Sequence, residues 1–442
     1  MCSQLMKLRS GRSGIITTMV DRFPNMLELR QHYPLSPRLE FPSLLQEQLA
    51  KAGVLARVTP GMKIAVGVGS RGITNLADIV KSVIDALRDA GAKPFIVPAM
   101  GSHGGATPDG QEGVLAEYGV TPKMMGAPFE TSMEVQQIGK TTDGREVVFS
   151  VPALQADGII VINRIKPHTD FYGDLGSGLQ KMLTIGLGKQ VGAANAHGAS
   201  SHLGHETVIR ENAKVILSAA PVLCGVAILE DQHHQTAAIH VIQGADIANQ
   251  EDKLLVKARS LMARLPFEEI DLLIVDQIGK EISGSGMDTN VIGRGVLGYL
   301  ATLMPGSSFK PQIFRIFVRD LTSTTHGNGI GIGLADFTTS RVVKALNLQS
   351  MYVNAITSLG LATAKIPIYF ETDREAIEAA FTSLVSPFPE KLRVVRIANT
   401  LNLDRMLISE ACAEQVRMQT GVTLAGTAKE MEFDGIGNLL PF

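Results

Sequence analysis

Short apolar, β-branched runs alternate along the chain with segments whose apolar positions recur every three to four residues. The first run, Lys63–Val68, breaks into Gly69-Ser70-Arg71-Gly72. Thr74-Asn75 then caps a helix in which Leu76, Ile79, Val80, Val83, Ile84 and Leu87 share one face. Gly91 closes that helix, and Lys93–Val97 reads as the next strand. Its end carries Met100-Gly101-Ser102-His103-Gly104-Gly105, and Thr107-Pro108 follows as a cap and first helical turn. Gly158–Asn163 and Pro221–Leu229 are further strands of the buried type, the first emptying into Arg164-Ile165-Lys166-Pro167-His168. A helix around Glu251–Leu265 has no strand directly before it and ends at Pro266. A second series then begins with Asp271–Val275, leading into Gln277-Ile278-Gly279-Lys280. Strands also fit Ile313–Val318, Lys365–Tyr369 and Leu392–Ile397, with Asp336 and Asp373 as helix N-caps.

Alternating strands and helices imply mostly parallel sheets covered by helices, with ligands gathering at the carboxyl ends of the strands. At 442 residues the chain exceeds one ordinary core. The expected fold class is α/β, two Rossmann-like domains with the active site in the cleft between them. Residues 1–24 are expected as a tail, 25–265 as the first domain and 266–442 as the second. Hydrophobic content of 45% with 19% charged residues is globular composition. A formal charge of −2 leaves no basic surplus for a phosphate backbone, so nucleic acid is not an expected partner. No uninterrupted apolar run is long enough for a membrane span. The basic first eighteen residues lack the apolar core of a secretory signal. Cys2, Cys224 and Cys412 are few and scattered, which fits a reducing, cytoplasmic setting.

Four clusters at strand ends carry groups able to do chemistry. Arg71 between glycines at a helix entrance suits a phosphate or carboxylate, and equally a tight turn with a solvated arginine. His103, flanked by small residues, has the access and near-neutral titration of an acid/base group or of a capping histidine. The third cluster joins Lys166-Pro167-His168-Thr169-Asp170 to Gly176-Ser177-Gly178-Leu179-Gln180-Lys181 and Ala196-His197. Lys181 falls where a helix begins, and the helix dipole there favours the neutral amine. His197, His202 and His205 with Glu206 form a second possibility, a metal site of a hydrolase, although their spacing matches no zinc signature. The fourth cluster is Gln277 and Lys280 with the loop Ser283–Asn290, and a similar glycine-rich run, Thr325–Gly331, lies downstream. A binding module without chemistry is the remaining reading of the same cleft.

Taken together, these clusters resemble the lactate racemase-like family that carries the nickel-pincer nucleotide. The resemblance spans about Met62 to Tyr369 and is strongest at Ser177-Gly178-Leu179-Gln180-Lys181, similar to the family's Ser-Gly-Gly-Arg-Lys segment. It implies a cofactor held as a thioamide on Lys181, with Ser177, Gly178 and Arg71 beside it. It also implies a nickel ligand sixteen residues on, where this chain has His197. His103 and His168 match the two acid/base histidines, and Gln277 and Lys280 the substrate-binding Gln-x-x-Lys pair. The implied activity is an isomerase, a racemase or epimerase of a small 2-hydroxy acid, dependent on partner enzymes that synthesise the cofactor. The chain departs from the family in reading Val68-Gly69-Ser70-Arg71 where an aspartate begins the turn, and in containing no tryptophan. Three extra residues also separate His168 from the lysine segment. These changes point away from lactate and toward a larger, more polar acid such as a sugar acid.

Overall fold

The computed structural model describes residues 23–69, 72–169, 171–295, 310–386 and 388–441. Arg71, Asp170 and nearly all of the expected 1–24 tail lie outside the described residues. The architecture is mixed α/β, and the described residues divide into two compact units: those within Leu35–Met262 form one, and those up to Pro34 join those from Ala263 onward in the other.

The unit Leu35–Met262 is built on a five-stranded sheet in the order Lys93–Pro98, Lys63–Val68, Gly158–Arg164, Val222–Glu230, Thr236–Gln243. The first four are parallel, and the last pairs antiparallel with Val222–Glu230. Successive residues of a strand point to opposite faces, and here both faces are covered. Ile64, Val66, Ile160, Ile162, Val226 and Ile228 pack with helix Leu76–Asp89 and with Leu45 and Leu49. Ala65, Val97, Ile159, Val161, Ala227 and Leu229 pack on the other side with Leu179, Leu183, Ile216 and Leu255. That two-sided burial is why these strands read as continuous apolar runs. The helix placed at Glu251–Leu265 spans Ile247–Ser260 instead, and strand Thr236–Gln243 does precede it.

The other unit holds an eight-stranded sheet in the order Ile368–Phe370, Phe337–Thr339, Gln312–Leu321, Glu269–Ile278, Val394–Ile397, Arg405–Ser409, Asn25–Gln31, Val422–Glu430. Neighbours are parallel from the first to Val394–Ile397 and antiparallel beyond it. Asn25–Gln31 enters this sheet with Met26 opposite Ser409. Neither expected aspartate cap is one. Helix Ser340–Ala345 is capped by Thr339, and helix Asp373–Ser383 by Thr372 in a capping box with Glu375. Asp336 accepts the Ile316 N–H and pairs with Arg294, while Asp373 is buried between Arg319 and Arg341.

Candidate functional site

Within Leu35–Met262, the strand-end loops are locked to one another by close contacts that demand glycine. A Cβ on Gly69 would lie 2.7 Å from Asn163 Oδ1 and 3.1 Å from the sulfur of Met182. Asn163, buried at the end of its strand, donates from Nδ2 to the Gly178 carbonyl at 3.2 Å. Gly101, at φ 60°, donates its N–H to the Gly186 carbonyl at 3.1 Å. The Gly69, His103 and Lys181 loops are thus fixed around the turn Leu179–Gly186.

That turn begins as helix Leu179–Lys181 and widens into a π-helical turn over Met182–Gly186. Such widening recurs at functional positions, because it breaks the regular side-chain spacing of a helix. Lys181 stands where the sequence places it, in the first turn. Its Nζ lies 2.7 Å from His168 Nε2 and 3.4 Å from Ser177 Oγ. Ser177 is itself held by a backbone pair with Lys166 at 2.9 and 2.8 Å.

Aromatic rings extend this contact. His168 stacks on Phe171 with centroids 4.5 Å apart, and Phe171 stacks on His205 at 5.3 Å. His197, on helix Lys189–Leu203, meets His205 edge-on at 5.8 Å. Burial, and then the charges of Lys181, His205, Lys166 and His197, hold the His168 pKa well below the ordinary imidazole range. His202 is exposed on the same helix as His197. Among the described residues no three His, Cys, Asp or Glu side chains group as a metal site.

Three polar residues that the sequence pattern did not single out support this cluster. Lys189 is fully buried, with φ 54°, and donates from Nζ to the Pro98 carbonyl at 2.8 Å and to Gln111 Oε1 at 3.4 Å. Gln111 in turn donates to the carbonyls of Gly101 at 2.8 Å and His103 at 3.4 Å, tethering the His103 loop. Glu251 accepts the Gln180 N–H at 2.9 Å. Each lies in a helix where a charged or amide residue reads as surface, and only the tertiary fold buries it.

In the other unit, Gln277 is exposed near the end of strand Glu269–Ile278. Lys280 follows it, donating from Nζ to the Gly284 carbonyl and to Asn354 Oδ1, both at 2.8 Å. The two glycine-rich runs are packed together rather than hanging from the surface. A Cβ on Gly331 would fall 1.8 Å from the Ser285 carbonyl oxygen, and one on Gly286 2.1 Å from that of Ile330. Asn328 donates to Asn354 Oδ1 at 3.4 Å, so Lys280 sits among amides and hydroxyls.

Comparison with known proteins places a name on part of this chain. Residues 38–207, which carry His103, His168, Lys181 and His197, match the family described as the lactate racemase N-terminal domain. Among solved structures, the lactate racemase apoprotein from Thermoanaerobacterium thermosaccharolyticum is 14% identical, with a TM-score of 0.53. The match covers 90% of this chain and 98% of that one, and at this identity the likeness is one of fold. No curated protein matches the sequence. No helix among the described residues is long and apolar enough to cross a membrane.

Proposed function

We propose, from the match of residues 38–207 to the lactate racemase N-terminal domain family, that the chain is a racemase or epimerase of a 2-hydroxy acid, working with a nickel-pincer nucleotide. The observation that carries this reading is the Lys181–His168 contact of 2.7 Å on a π-widened turn, with Ser177 beside it and His197 one ring away through His205. The residues present fit the group. Lys181 offers an amine for the covalent link, Gly178 leaves the backbone bare, and the imidazole of His197 is a donor suited to nickel. Bound there as a thioamide on Lys181 with nickel on His197, the group would supply an acceptor for the Cα hydride. That spares a carbon next to a carboxylate from becoming a carbanion.

The remaining work falls to this chain's side chains. His103 and His168 would each take the hydroxyl proton from the isomer it faces and return it to the other. Lys280, Gln277 and Arg71 would hold the carboxylate and orient the hydroxyl. Asn354 and Asn328 around Lys280 offer amides to further hydroxyl groups, which favours a polyhydroxy acid such as an aldonic acid.

Intact-mass measurement of protein co-expressed with the cofactor-synthesis enzymes tests the reading. A covalent adduct is expected on the wild-type chain and not on Lys181→Arg, together with inversion of at least one acid in a panel of 2-hydroxy and aldonic acids. An unmodified wild-type mass would sink it.

A further inference from the structure

Glu251, in the middle of helix Ile247–Ser260, is 1% exposed, and its place in the fold is unusual for a carboxylate. Its Oε2 accepts the Gln180 N–H at 2.9 Å. Its Oε1 makes no hydrogen bond of standard geometry, and neither does Nε2 of Gln180 beside it. A Cβ added to Gly178 would fall 1.9 Å from that Oε1 and 2.7 Å from Ile165 Cδ1. The carboxyl therefore fills the volume a side chain at position 178 would need. Asn163 grips the Gly178 carbonyl. The two contacts hold the residues on either side of Leu179, in the segment that leads into Lys181.

Leucine would fill this space without the desolvation that a buried carboxyl suffers. Burial pushes the Glu251 pKa up to about 7, while the Gln180 hydrogen bonds and Arg210 pull it down and Asp252 adds to the rise. Arg210, on helix His205–Ala219, is paired with Glu206 and Asp252. A group this unfavourable in a core position is accounted for by the turn it holds.

We infer that Glu251 is a positioning residue for Lys181: its carboxyl fixes the Gly178–Lys181 turn through the Gln180 N–H and so presents the amine to His168. The inference rests on the proposed function only for the chemical task it gives Lys181, since the geometry belongs to the chain's own residues.

The test uses the full chain without cofactor. Lysines are labelled competitively with acetic anhydride across a pH series, with Lys181 read by peptide mass spectrometry, and amide exchange is followed over residues 179–184. Glu251→Gln, which keeps an acceptor oxygen, should match wild type in both readouts. Glu251→Ala should shift the Lys181 labelling profile and speed exchange over that turn by about tenfold, the size of one hydrogen bond, with exchange elsewhere unchanged. If the alanine variant does not fold, Glu251→Asp replaces it, because the shorter chain keeps a carboxyl but withdraws it from Gln180. A folded alanine or aspartate variant with wild-type labelling and exchange overturns the inference, and so does a folded Glu251→Gln that behaves like alanine. A missing Lys181 adduct in cofactor-loaded wild type refutes the proposed function instead and leaves this apoprotein test standing.

Discussion

Replacing the buried Lys189 by methionine separates two effects that nearly cancel at neutral pH. Desolvation lowers the Lys189 pKa from 10.5 to about 8, so in the folded chain at pH 7 the amine is still charged, in surroundings that disfavour charge. The difference corresponds to about 3 kcal/mol. Methionine removes that cost and leaves the left-handed backbone at this position unchanged. It also strips the Pro98 carbonyl and Gln111 Oε1 of their donor, at roughly 1–3 kcal/mol each. At pH 7 the two proteins should therefore unfold within about 3 kcal/mol of each other. The sign of the pH dependence follows from a folded pKa that lies below the unfolded one. Between about 8 and 10.5 the unfolded chain binds the extra proton, so the stability of wild type rises with pH relative to the variant. Urea unfolding followed by circular dichroism, run on both proteins from pH 7 to 10.5, should show the difference growing by about 3 kcal/mol in favour of lysine. A difference that stays flat would mean that Lys189 titrates as an ordinary lysine and that its burial carries no electrostatic cost. Loss of the tether through Gln111 should also speed amide exchange in residues 101–106 of the variant, but not in strand Gly158–Arg164.

Asp373→Asn should destabilise the unit that holds it by about 3–5 kcal/mol, because Arg319 and Arg341 then lose a fully buried partner. Amide exchange confined to residues 263–441 and 23–34 would confirm it, and unchanged exchange there would not. His197→Ala should weaken nickel retention in the loaded protein by at least about tenfold, while His202→Ala leaves it unchanged; metal analysis of both variants decides. Asn354→Ala should raise KM for a polyhydroxy acid by about tenfold with little change in kcat, since it supports Lys280 rather than the reacting carbon. His103→Ala and His168→Ala should each lower turnover by about 10²–10⁴-fold. In single-turnover mixing each should fail with the opposite stereoisomer, and near wild-type rates in both would make these histidines structural.

What the sequence makes legible depends on how locally each feature is determined. Lys63–Val68 and Gly158–Arg164 are visible because both faces of their sheet are covered, which leaves an apolar run that no loop resembles. Thr236–Gln243 and Val422–Glu430 stand at sheet edges with most of their residues at least partly exposed, so their composition looks like connection. Asn25–Gln31 pairs with Arg405–Ser409 and Val422–Glu430, and nothing near position 25 encodes a partner so distant in the chain. The same division runs through the site. Lys181 and His168 could be named because glycines and proline around them mark loops that a ligand can approach, and the structure brings the two side chains into contact. Glu251 and Lys189 could not, since a glutamate or lysine in a helix is most often solvated and its burial is settled by elements far away in sequence. Yet burial displaces the pKa of each by about 2.5 from its ordinary value. Both spend that cost on backbone: one on the Gln180 N–H, the other on the Pro98 carbonyl. In this fold, the residues proposed to face a ligand are written in local pattern. Those that hold them in place are found by asking which buried charges have a loop, and not a counter-ion, as their partner.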